Sequence, residues 1–316
     1  MADNNQTFSR SVHFFDKLLR GDSPCRVENE YPLVFQSSTS EVIFLNQREQ
    51  KLSPKPANLL VLSEGDEIHA GLATLRRTVK LSEDSELRVL FIGSVVTDPK
   101  FRNQGLQRDL FLALDRMAHE DGLDALLLWS NQIDFYRKLG FELGGLQATW
   151  SANSRQPLLN QSVVVNFGKS SEIPLTDKWI QNFMQKQLVV RRSEAEMRKL
   201  WSIPEMYVAG TENAYALMKK GEDFDGMCHE WAGPADEVLA CFDRLRAERQ
   251  DVRFLSPGVV QDPEEMKVVS RLELAGFESR LEYLGLFKLM SNRFVIQDLQ
   301  PETLKLPFFV WGLDSI

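Results

Sequence analysis

At 316 residues the chain is long for one average domain and fits two of about 150 each. Its 43% apolar and 26% charged residues describe an ordinary globular protein, and no apolar run approaches the roughly 18 residues of a membrane span. A net charge of −8 argues against a general nucleic-acid binder and suits a basic substrate such as an amine, a peptide N-terminus or a polyamine.

In chain order, Thr7–Leu19 places Phe8, Val12, Phe15, Leu18 and Leu19 at helical spacing, and the start of the chain has no apolar core of a secretory leader. Pro24, Pro32, Pro54 and Pro56 then punctuate a looser stretch. Asn58–Ser63 and Ile68–Val79 are predicted strands joined by a tight acidic turn. Leu87–Val96 is a predicted central strand, in which Gly93 marks a bulge or a close backbone approach. From Arg102 to Glu120, the stripe Leu106, Leu110, Phe111, Leu114, Met117 and Ala118 predicts a helix stopped by Gly122. Asp124–Trp129 reads as a strand buried on both faces, Ile133–Leu139 as a short helix, and Phe141 opens another strand. The order is that of a mixed α/β sheet.

A polar stretch from Asn166 to Trp179 places a boundary between domains of residues 1–165 and 166–316. Beyond it the theme repeats, with strands at Asn213–Lys219 and Met227–Ala232, a helix at Asp236–Arg249 and a short strand at Val252–Leu255. A helix at Arg271–Ala275 and a strand at Leu281–Met290 complete it. Leu114–Met117 echoes Phe242–Leu245, and Lys138–Glu142 echoes Leu274–Glu278, which points to a duplication. The three cysteines, Cys25, Cys228 and Cys241, are odd in number and lack metal spacing, so reduced thiols, a cytoplasmic setting and no metal site are expected.

The segment that carries chemistry is Val95-Val96-Thr97-Asp98-Pro99-Lys100-Phe101-Arg102-Asn103-Gln104-Gly105-Leu106-Gln107-Arg108. A buried strand passes through a polar, glycine-containing loop into an amphipathic helix, whose first N–H groups and positive dipole end can cradle a diphosphate. Gly105 lets phosphate oxygens near the backbone, and Arg102 and Arg108 add charged donors. Taken alone, the same segment is also an ordinary helix start with surface arginines.

Ser130–Phe141 (SNQIDFYRKLGF) follows one helix and one strand later. Together the two segments resemble the GCN5-related N-acetyltransferase (GNAT) superfamily, with its V-x-x-x-P-x-x-R-x-x-G and later Y-x-x-x-G-F. The resemblance covers roughly residues 40–150. It implies an acyl-CoA N-acyltransferase fold, here in two tandem copies with the second degenerate. It also implies acetyl-CoA as acyl donor, held by Val95, Val96, Thr97, Arg102, Asn103, Gln104, Gly105, Leu106, Gln107, Arg108 and Asn131. The acceptor implied is a primary amine of a small molecule or peptide, attacking directly, with Tyr136 as general acid. Tyr136 reads otherwise as an aromatic packing residue. Gln107 departs from the family, which has Gly or Ala there; the G-L-x-R form is similar to the enhanced-intracellular-survival branch.

The predicted central strand carries no carboxylate to serve as base. In that branch, and in the tandem N-myristoyltransferases, a terminal carboxylate takes the role, so the apolar tail Leu306–Ile316 offers the Ile316 carboxylate. The other reading is a tail that covers the second domain. In the second half, Trp231-Ala232 runs through Gly233-Pro234 straight into a helix, and Leu272 stands where Tyr136 does in the first, so no cofactor is expected there. Two competing functions remain: a non-catalytic acyl-CoA sensor, and an acyltransferase using another donor such as aminoacyl-tRNA.

Overall fold

The computed structural model describes residues 33–36, 42–44, 58–64, 67–82, 84–152, 157–159, 163–203, 205–220, 224–293 and 308–314. The helix expected at Thr7–Leu19 and the residue Ile316 lie outside the described residues. Fourteen strands form one sheet: β1 (Leu33–Gln36), β2 (Val42–Phe44), β3 (Asn58–Glu64), β4 (Glu67–Lys80), β5 (Glu86–Thr97), β6 (Ala125–Leu128) and β7 (Glu142–Ser151), then β8 (Asn166–Lys169), β9 (Val189–Val190), β10 (Tyr207–Gly210), β11 (Tyr215–Met218), β12 (Met227–Ala232), β13 (Arg253–Pro257) and β14 (Glu278–Leu289). The helices are α1 (Leu106–Glu120), α2 (Ile133–Arg137), α3 (Asp177–Gln185), α4 (Glu194–Trp201), α5 (Ala235–Glu248) and α6 (Pro263–Leu274). The sheet order is β2-β1-β3-β4-β5-β6-β14-β7-β13-β12-β11-β10-β8, with β9 beside β4. Parallel pairing of β1/β3, β5/β6 and β12/β13 among antiparallel neighbours makes it a mixed α/β sheet.

The two halves exchange their last strands. β14 pairs with β6 on one side and β7 on the other, while β7 pairs with β14 and β13. Each half therefore completes the other's sheet, and the run β4-β5-β6-β14-β7-β13-β12-β11 reads as one four-strand pattern followed by its reverse. Polar staples hold β14 in place. The buried Asp124 carboxylate accepts from the Arg88 N–H of β5 at 2.9 Å and from Ser291 Oγ beyond β14 at 3.1 Å. From β14 itself, Lys288 Nζ reaches Asp115 of α1 at 2.6 Å and the Leu139 carbonyl at 2.9 Å.

Alternation along β5 sorts the core into two. Leu90 and Ile92 pack with Leu110, Phe111 and Leu114 of α1, and Val89 and Phe91 pack into a larger cluster on the other face. The helix α1 starts at Leu106, not Arg102, because Asn103 and Gly105 have left-handed backbone at φ 62° and 81°. The polar stretch read as a boundary instead holds β8 and the start of α3, where Thr176 caps the helix and Trp179, Ile180 and Phe183 bury one face. The last predicted helix begins earlier, at Pro263, with Asp262 Oδ1 accepting from the Glu264 N–H at 2.9 Å.

Candidate functional site

β5 and β6 run parallel only from Val89↔Ala125 to Ile92↔Leu128, and β5 then continues to Thr97 with β4 as its neighbour. Against β4 it gains one residue between Gly93 and Val96, and Ser94 in that bulge has φ 51°. The bulge anticipated at Gly93 is present. Val95, Val96 and Thr97 are half-buried on this diverging end, so their side toward β6 has no partner strand among the described residues. β14 borders the same opening. Its segment Glu278–Tyr283 overhangs the end of β6 and leaves Leu281 57% and Tyr283 38% exposed.

The loop to α1 begins with a turn of 3-10 helix at Pro99–Phe101, capped by Asp98 Oδ1 accepting from the Lys100 N–H at 2.9 Å. Phe101 stacks on His69 of β4 at 3.7 Å between ring centroids, fixing the loop's near side. Arg102, Asn103, Gln104, Gly105 and Arg108 are exposed, Leu106 half-buried. A Cβ built on Gly105 meets nothing within 4 Å, so the helix start faces open space at a backbone angle that suits glycine. Unpaired first-turn N–H groups, two arginines and open room beside Gly105 fit a diphosphate. Gln107 does something the sequence did not show: its Nε2 donates to Val96 O at 2.7 Å and Thr97 Oγ1 at 2.8 Å, tying α1 to the end of β5.

Tyr136 lies on α2, 7% exposed, with its ring edge-on to Phe111, Phe135 and Phe141. Burial pushes its phenol above the usual tyrosine range, and a hydrogen bond with the Ser130 side chain opposes part of that shift. The group thus holds its proton at neutral pH. Asn131 is exposed on the turn into α2, at a surface depression of about 440 Å³ shared with Gln132, Ile133, Asp134, Phe135 and Arg137. Ser130 is a neighbour of Tyr136 that the sequence reading did not single out, since pairing across the β6–α2 turn leaves no pattern.

The tail goes elsewhere. Phe308–Asp314 is buried, with the Trp311 ring edge-on to Trp231 at 5.2 Å and its Nε1 donating to Leu188 O at 3.1 Å. Asp314 joins Glu230 of β12 around the fully buried Arg192, whose Nε donates to Asp314 Oδ1 at 2.9 Å and Nη2 to Glu230 Oε2 at 2.7 Å. Burial pulls the Arg192 guanidinium toward neutrality, but Asp314 and Glu230 more than reverse this and hold it charged. β12 lies four strand positions from β6, about 19 Å at the usual spacing. The described tail accordingly covers the second half.

In that half, β12 and β13 pair at Met227↔Arg253 and Cys228↔Phe254 and then part. The Trp231 indole bridges the parting, its Nε1 donating to Leu255 O at 2.9 Å. At the entry to α5, a Cβ on Gly233 would lie 2.6 Å from both Asn213 O and the Ala214 Cβ. Among the described residues, no group of His, Cys, Asp and Glu is arranged to hold a metal, and no helix is long and apolar enough to cross a membrane.

Residues 31–144 match the family described as acetyltransferase (GNAT) domain. A search of curated proteins by sequence matched none. Among solved structures, a GCN5-related N-acetyltransferase from Kribbella flavida aligns over 73% of this chain and 59% of its own, at 14% identity and a TM-score of 0.54. A probable N-acyltransferase from Enterococcus faecalis aligns over 71% and 59%, at 10% identity and 0.51. The protein Eis1 from Mycobacterium abscessus aligns over 73% and 64%, at 12% identity and 0.51. The chain spans less than two thirds of each of these structures, and the likeness is one of fold.

Proposed function

We propose that the chain is an N-acetyltransferase moving an acetyl group from acetyl-CoA to a primary amine, a reading supported by the match of residues 31–144 to the acetyltransferase (GNAT) domain family. The observation that carries this reading is the opening between β5 and β6 beneath the first turn of α1. The donor supplies an activated thioester. First-turn N–H groups of α1 with Arg102 and Arg108 seat its diphosphate, with Asn103, Gln104, Gly105 and Leu106 shaping the loop and Asn131 lining the far side. Backbone N–H groups near Val95–Thr97 orient the acyl carbonyl. A neutral amine of a small molecule or peptide attacks, and Tyr136, kept protonated by burial, delivers a proton to the departing sulfur.

Residues 1–165 would be the catalytic domain and residues 166–316 a degenerate copy that binds no donor. The overhang of β14 supports a wall for the acceptor made by this second half, with Leu281 and Tyr283 presenting apolar surface. The buried anchor at Asp314 favours the tail as a cover over a role for Ile316 as base. Release of free thiol from acetyl-CoA across a panel of amines tests the reading. Turnover is expected, and Tyr136→Phe should lower kcat by about 10²–10⁴ while leaving CoA affinity intact. Tight CoA binding without turnover on any amine would leave a sensor.

A further inference from the structure

Among the described residues, the diverging end of β5 has a single neighbour strand. β4 pairs with it through Ala70↔Thr97 and Gly71↔Val96, past a bulge, and Asp98 N donates to His69 O at 2.9 Å. On the other side the pairing with β6 stops at Ile92. A bulged strand end held on one edge is a soft place for groups that must meet an acyl carbonyl. The Gln107 amide is its second tie. Val96 O carries no proton, so the nitrogen of Gln107 must face it, and the same nitrogen reaches Thr97 Oγ1.

The other end of the amide has no such match. Gln107 Oε1 is buried and without a hydrogen-bond partner among the described residues. A buried acceptor left unmatched is destabilising and offsets part of what the two donated hydrogen bonds contribute to the fold. A residue carrying such a cost, on the join between two parts of a site, points to function.

We propose that Gln107 is a positioning residue: its amide fixes the spacing between the first turn of α1, which seats the diphosphate, and the end of β5, which orients the acyl carbonyl. The proposal rests on the acyl-CoA reading of this site. The Gln107 side-chain amide is engaged by β5; it sets where one seat stands relative to the other, so its loss disturbs alignment more than grip.

The test uses the full chain with Gln107→Met, which keeps length, and Gln107→Glu, which keeps shape but places oxygen against Val96 O. Both lose the donor. Expected are a kcat for acetyl transfer at least about ten-fold lower in each, and a CoA dissociation constant within about three-fold of wild type. For Gln107→Met the melting temperature should change little, the lost hydrogen bonds and the removed unmatched acceptor offsetting each other. A purely structural residue would instead lose stability and affinity together. Unchanged kcat in both variants, or loss confined to Gln107→Glu, overturns the proposal while the acetyltransferase reading stands. Wild-type protein that binds no CoA overturns that reading, and this one with it.

Discussion

The two strand pairs β5/β6 and β12/β13 start alike and end differently. Each is parallel for a few residues and then opens, and each leads into a helix, α1 or α5. In the first the diverging end stays half-buried, and the helix entry at Gly105 faces free space. In the second, Glu230, Trp231 and Ala232 are fully enclosed. There the indole bridges the gap, Gly233 is pressed against Ala214, and the tail lies over the result. One arrangement of strands thus yields a cleft or a core according to which side chains enter the opening. Apolar burial is the default outcome, and the cleft exists where the first half forgoes it.

The sharpest attempt to break that contrast is Trp231→Ala. Removing a buried indole should cost about 3–5 kcal/mol of stability, read as a lower denaturant midpoint at unchanged slope. It should not create a second donor site, because the Gly233 entry leaves no room for a diphosphate; CoA titration is expected to give one site per chain in both proteins. Two sites in the variant would show that the indole alone separates the halves. Next in size, Gly105→Ala places a side chain at φ 81° and should cost about 1–2 kcal/mol while weakening CoA binding about ten-fold. Equal affinity would remove the helix entry from the cleft's definition.

The smallest effect is a pH dependence. Burial raises the Tyr136 phenol above its ordinary value of 10.0, so its acid form, the one that donates, persists up to and beyond that pH. Turnover at saturating amine should show no descending limb until above pH 10. A limb near neutrality would assign proton donation to a different group.

The cleft side of this contrast was largely legible in the sequence. Strand β5, the apolar stripe of α1 and the Gly105 loop follow from period and glycine placement. The blocked side was less so. Polar composition between Asn166 and Trp179 hid β8 and the start of α3, although Thr176 and the Trp179–Ile180–Phe183 spacing mark a capped amphipathic helix. Ser193-x-x-Glu196 was likewise a capping box in plain view, with the Glu196 side chain returning to the Ser193 N–H at 2.7 Å. What no local pattern conveys is partnership: that β14 lies beside β6, that Trp231 bonds Leu255, or that Asp314 meets Arg192. These contacts span tens to hundreds of residues, and hydrophobic period does not encode them.

The exchanged strand also sets a schedule. β6 is complete at Leu128, yet the strand that covers its far edge begins at Glu278, some 150 residues later. A chain emerging from the ribosome at about 5–20 residues per second leaves that edge unpaired for roughly 8–30 s. During that time its first half offers a sheet edge to chaperones or to other nascent copies. Closure waits on one of the most sequence-distant pairings in the molecule, a topology that folds slowly. A β6 strand covered on both edges, on this schedule, exists only in chains that have been synthesised past Leu289.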